Sequence, residues 1–104
     1  MANTIKIRAR LSGDTTTVKA LISHPMETGM RKDKKTGKTI PEHFIQEVVC
    51  EHKGDAVLTA QWGPAISKNP YLSFRFKGAQ KGDTLTLRWV DNKGESDSIE
   101  TQVS

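Results

Sequence analysis

The chain is 104 residues long, 35% apolar and 6% aromatic, with a formal charge of +4. That length suits one domain, residues 1–104, and so thin an apolar complement favours two stacked sheets over a thick core. No run approaches the ~20 apolar residues of a membrane span, the lone Cys50 excludes an internal disulfide, and the modest positive charge attracts acidic partners without naming one.

Residues 4–11 alternate, with Ile5, Ile7, Ala9 and Leu11 on one side and Lys6, Arg8 and Arg10 on the other, which predicts a strand. Ser12-Gly13-Asp14 turns it. Residues 17–23 predict a second strand, carrying the β-branched Thr17, Val18 and Ile22. Residues 24–43 hold few apolar side chains. A structureless loop of that length is unusual in a compact domain, so a protruding, partly ordered hairpin is expected, turning at Lys34-Lys35-Thr36-Gly37-Lys38. Residues 44–51 fit a strand or a short helix; β-branched Val48 and Val49, and the turn His52-Lys53-Gly54-Asp55, favour a strand. Residues 56–62 alternate Ala56, Leu58, Ala60 and Trp62 against Val57, Thr59 and Gln61, and Gly63-Pro64 ends the run. A connection closing on Asn69-Pro70 follows.

Residues 71–91 carry the strongest pattern. Leu72, Phe74 and Phe76, then Leu85, Leu87 and Trp89, mark two alternating runs joined by Gly78-Ala79-Gln80-Lys81-Gly82-Asp83. The expectation is a β-hairpin with one dry face and one wet face of Ser73, Arg75, Lys77, Thr84, Thr86 and Arg88. Alone it would be marginal, so the rest of the chain must supply a covering layer. Asn92-Lys93-Gly94 is a turn, and residues 98–103 predict the last strand. About seven short antiparallel strands without a helix define an all-β, immunoglobulin-like β-sandwich, here without a Cys-Trp-Cys pattern.

Cys50 shares a side of its strand with Phe44 and Val48, and the nearby Glu47 and Glu51 raise rather than lower a thiol pKa. It reads as structural, not reactive. His24, His43 and His52 lack close ligand spacing. Folding could still gather them with Met26 and Cys50 around copper, so a small copper- or thiol-binding sandwich is one alternative class. Lys35-Thr36-Gly37-Lys38-Thr39 echoes the end of a phosphate-binding loop, but the earlier glycine, preceding strand and following helix are missing. Arg31, Lys32, Lys34, Lys35 and Lys38 form the densest basic patch. No aromatic lies among them to stack a base, so an acidic protein fits better than nucleic acid, the other alternative. The acids fall mostly in turns or on wet faces, and no catalytic constellation emerges.

Three stretches carry a resemblance. They are His24-Pro25-Met26-Glu27-Thr28-Gly29 with Arg31-Lys32-Asp33; Thr36-Gly37 with Ile40-Pro41 and Phe44-Ile45; and Ser67-Lys68-Asn69-Pro70-Tyr71 with Phe74 to Lys77, Gly78, Lys81-Gly82-Asp83 and Trp89 to Asn92. Together they resemble SoxZ, the non-carrier subunit of the SoxYZ sulfur-carrier complex, over nearly the whole chain. The resemblance implies a non-catalytic, cofactor-free subunit of thiosulfate oxidation that pairs with SoxY. In that family SoxY carries sulfur intermediates on a cysteine near its C-terminal end. It visits a c-type cytochrome complex, a sulfate-releasing hydrolase and, in some systems, a sulfur dehydrogenase. No Gly-Gly-Cys-Gly-Gly ending is present here, so Cys50 does not inherit the carrier role. The residues alone show no signal peptide and imply a cytoplasmic chain, whereas the resemblance implies a periplasmic one, co-exported with SoxY. The expected partner interface is His24, Met26, Met30, Arg31, Asn69, Pro70 and Tyr71, and the expected docking patch for later Sox partners is Arg31, Lys32, Lys34, Lys35 and Lys38.

Overall fold

The computed structural model describes residues 4–104. Seven strands follow one another: β1 (Ile5–Ser12), β2 (Thr15–Ile22), β3 (Ile45–His52), β4 (Asp55–Gln61), β5 (Tyr71–Lys77), β6 (Thr84–Asp91) and β7 (Ser96–Gln102). All pair antiparallel, in a three-stranded sheet of order β1-β2-β5 and a four-stranded sheet of order β4-β3-β6-β7. No helix forms among the described residues. The expected all-β, immunoglobulin-like sandwich is the fold.

Period-two alternation builds the core. Ile5, Ala9, Val18, Ala20 and Ile22 point inward from the smaller sheet and meet Ile45, Val48, Cys50, Leu85, Leu87 and Trp89 from the larger. Strand β3 is central and bends: its pairing with β6 shifts between Ile45 and Glu47, and that irregularity lets Ile45 and Val48, at odd spacing, both bury fully. Lys53 and Gly54 both adopt positive φ, 53° and 84°, and close the tight β3–β4 hairpin between the paired His52 and Asp55.

Residues 71–91 are not a hairpin. Strand β5 pairs with β2 and β6 pairs with β3, so Gly78 to Asp83 crosses from one sheet to the other. The dry rows do point into the core, but they face each other across the sandwich instead of lying side by side on one layer. Each apolar row thereby gains a whole opposing sheet, which direct pairing would have denied it. Arg75 and Arg88 consequently lie on opposite outer faces of the molecule.

Residues 24–43 do form the expected hairpin-like excursion. Bridges join Glu27 to His43 and Lys32 to Thr39, and Ile40 N–H donates to Arg31 O at 2.7 Å. Asp33 organises the tip: its carboxylate accepts from Lys35 N–H at 2.8 Å and its carbonyl from Gly37 N–H at 2.8 Å. The molecule measures 53 × 22 × 20 Å with a radius of gyration of 15.7 Å, against about 13 Å for a compact chain of this length.

Candidate functional site

The base of the 24–43 excursion converges on one carboxylate. Asp91 ends β6 and is 2% exposed. Its Oδ2 accepts from His24 Nε2 at 3.0 Å and from His43 Nε2 at 2.7 Å, while Oδ1 accepts from the Lys93 and Glu95 amides, each at 2.9 Å. Burial pushes the Asp91 pKa up; the two histidine bonds and two amide bonds outweigh it and hold the carboxyl below its ordinary value. His24 packs edge-on against Trp89, with ring centroids 5.1 Å apart, and against His43 at 4.5 Å.

Neighbouring residues complete the clamp. His24 N–H donates to Asn69 Oδ1 and Asn69 N–H returns to His24 O, both at 3.0 Å. Asn69 holds this position with φ of 51°, in the left-handed region that asparagine tolerates better than most residues. Met26, at φ 50°, turns its sulfur onto Ile45 N–H at 3.4 Å. Asn92 fixes the returning limb, accepting from Phe44 N–H at 2.9 Å and donating to Glu42 O at 3.1 Å. Gly29 has φ of 83°, and a Cβ there would lie 2.6 Å from Glu42 Cγ; the limbs approach so closely because this residue has no side chain.

His24, His43 and Asp91 bring three possible metal-ligand atoms within 4.8 Å of one another. Their protons argue for a different role. Met26 N–H donates to His24 Nδ1 at 3.2 Å, so the His24 proton sits on Nε2 and points at Asp91. A metal on Nε2 would require the proton to move to Nδ1, against the Met26 amide. Both Asp91 oxygens are already occupied. The cluster is a hydrogen-bonded staple holding the excursion to the sandwich. His52 takes no part; it donates to Asp83 Oδ2 at 2.8 Å at the molecule's other end.

Cys50 lies in the core with no exposure. Burial, then the Glu51 charge, push its pKa up to about 11. The structural reading of this thiol therefore agrees with its surroundings, and Cys50 does not join the histidine cluster. Labelling by a disulfide reagent at pH 8 is expected to run at least about a hundredfold slower in the folded chain than in denaturant, since thiolate is the reacting species. Equal rates in the two states would show that the side chain reaches solvent.

The expected interface residues separate into two sets. His24 and Met26 are buried in the clamp, and Pro70 is buried with its carbonyl accepting from Ile22 N–H at 3.0 Å, so these three present almost no side-chain surface outward. Asn69 is exposed but occupied by His24. Met30, at 85%, and Tyr71, at 61%, are the most exposed large apolar residues described. Arg31 is exposed and bound to Glu27, Nη2 to Oε2 at 2.6 Å, which lowers the Glu27 pKa. Lys32, Lys34, Lys35 and Lys38 are all exposed along the tip. The Asp91 staple escaped sequence reasoning, although the two histidines bracketing the apolar-poor stretch were its visible signal.

A helix-free sandwich with a buried, deactivated thiol, a stapled excursion and an exposed tip is an immunoglobulin-like domain whose distinctive features are surfaces. Residues 5–102 match the family of the sulphur oxidation protein SoxZ, and the chain belongs to that family. None of the curated proteins matches it. Among solved structures it is similar to a superoxide reductase (neelaredoxin) from Ignicoccus hospitalis, with TM-score 0.65 and 17% identity over 98% of this chain and 80% of that one. It is also similar to a hypothetical protein from Pyrococcus horikoshii OT3, with TM-score 0.61 and 22% identity over 98% and 88% of the two chains. At such identities these likenesses establish the fold alone.

Proposed function

We propose that this chain is the non-catalytic subunit of a SoxYZ carrier: it binds SoxY, which holds sulfur intermediates on its own terminal cysteine, and helps present them to the other Sox proteins. The observation that carries this reading is SoxZ family membership across residues 5–102. The burial and raised pKa of Cys50 support it, because a carrier thiol has to be accessible and nucleophilic. As the family resemblance implies, both chains work in the periplasm after export together. Met30 and Tyr71 supply adaptable and aromatic surface for SoxY, and the lysines of the tip face the later Sox partners, the cytochrome complex and the hydrolase among them.

Mixing the purified chain with SoxY is the test. The expected result is a stable one-to-one complex by size and mass, in which incubation with thiosulfate and the cytochrome complex places a sulfur adduct on SoxY alone. Turnover of thiosulfate by this chain unaided, or an adduct on Cys50 during turnover, would refute the reading.

A further inference from the structure

Pairing of β1, β2 and β5 assembles a charged surface that no single strand reveals. Their outward residues form rows across the sheet: Arg8 beside Lys19 beside Ser73, then Arg10 beside Thr17 beside Arg75. Lys6 lies at one end of the face and Lys77 at the other. Lys6, Arg8, Arg10, Lys19, Arg75 and Lys77 are all exposed. No acidic residue shares these rows, and among the described residues the only ion pair made by these six is Lys77 with Asp14, at 3.8 Å. Arg8 and Lys19 stand directly opposite each other, an arrangement that is itself unfavourable. The outer face of the larger sheet differs: Glu47, Glu51 and Glu100 accompany Arg88, which bonds Glu51 at 2.6 Å.

We infer that the outer face of the β1-β2-β5 sheet is a docking surface for a protein with a carboxylate-rich patch, bound transiently. Charge complementarity names the occupant. Six like charges spread over a sheet gain from many-point contact with acidic side chains, and exposed charges of this kind act on encounter and salt dependence more than on lasting affinity. The face lacks the wide apolar centre of an obligate interface; Leu21, beside Lys6 at the end from which the 24–43 excursion leaves, is its one exposed apolar anchor, and Tyr71 next to it marks the corner where the face meets the proposed SoxY surface. A single aromatic at a corner is no stacking platform, which disfavours nucleic acid. A second copy of the chain offers no comparable acidic patch: the larger sheet's acids are partly neutralised by Arg88, and the exposed Asp14, Glu42, Asp55 and Glu95 are scattered over separate turns and strand ends. The inference rests on the proposed function only in treating the SoxY contact as a separate surface.

Titration of the isotope-labelled chain with poly-L-glutamate, followed by amide chemical shifts, tests it, with a twenty-nucleotide oligothymidylate in parallel. Shifts are expected at Arg8, Arg10, Lys19 and Arg75, fading as salt rises past the range where the screening length falls below about 10 Å. The variant Arg8→Glu/Lys19→Glu/Arg75→Glu should lose at least about tenfold in poly-L-glutamate affinity, while Lys32→Glu/Lys35→Glu loses less. The neutral variant Arg8→Gln/Lys19→Gln/Arg75→Gln provides the same comparison with less perturbation, and SoxY complex formation should be unchanged in both. Shifts confined to residues 31–38, tighter binding of the oligothymidylate, or low-salt self-association abolished by the triple change would each overturn the assignment. So would loss of the SoxY complex in the glutamine variant. Failure of the unaltered chain to bind SoxY would instead strike the proposed function and leave the poly-L-glutamate result standing.

Discussion

Replacing Asp91 with alanine is expected to cost roughly 3–5 kcal/mol of stability, because it strands buried donors with no acceptor. Four hydrogen bonds end on this one side chain, and His24, 4% exposed, cannot turn to water for a substitute. For a domain of this size the midpoint of thermal unfolding should fall by on the order of 20 °C. Asparagine keeps the shape but directs an amide donor at other donors, so Asp91→Asn should lie between the two. Acidity reports on the same groups. Burial raises the Asp97 pKa, but bonds from Thr4 and the Ser98 amide outweigh it, so its carboxyl, like that of Asp91, lies below the ordinary 3.8. A depressed carboxyl contributes stability that is complete above its unfolded value and drains as pH falls through its folded value. Unfolding measured from neutral pH downward should therefore show loss below about pH 4, with a shallower loss in Asp91→Ala. An unchanged midpoint in that variant would mean that the excursion is held by other contacts.

Leu87→Ala is expected to destabilise the chain by about 2–5 kcal/mol. Leu87 is fully buried on β6, between Cys50 of β3 and Ile99 of β7, and faces the opposite sheet. Truncation removes transfer free energy and leaves a cavity that two stiff sheets cannot close. Met30→Ala, at the excursion's exposed surface, should change stability by no more than about 0.5 kcal/mol. Urea denaturation of the two variants separates residues that build the sandwich from those available to a partner. Similar losses in both would mean that the tip is packed, not free.

Much of this architecture was legible because alternation is a local property. Ile5, Ala9, Leu85 and Leu87 could be turned inward from their neighbours alone, and the excursion's turn was visible in Lys34 to Lys38. Which strand lies beside which is not local. Leu72-Phe74-Phe76 and Leu85-Leu87-Trp89 have the same alternation whether they share a sheet or oppose each other, and the short link between them made the hairpin the simpler reading. The misplaced partner sheet also hid the basic face: Lys6, Arg8 and Arg10 were recognised as outward, but Lys19 and Arg75 become their neighbours only through β2 and β5. Asp91, just before the Asn92-Lys93-Gly94 turn, likewise carries the same local signal as any turn acid. Its role depends on two histidines distant in sequence, and on the Met26 amide that decides where one of their protons resides.

The crossing at Gly78 to Asp83 also bears on how the polypeptide reaches its native form. A true hairpin there would zip within microseconds and seed the rest. Instead β5 must search back past some fifty residues for β2, and β6 must reach β3 across the intervening β4 and β5. Loop-closure entropy is therefore spent before much contact is gained, which makes for slow assembly relative to chain length. During that interval both edges of β5 lie open, where the folded sheet leaves only one, and a freshly made chain is at its most vulnerable to sticking to others of its kind.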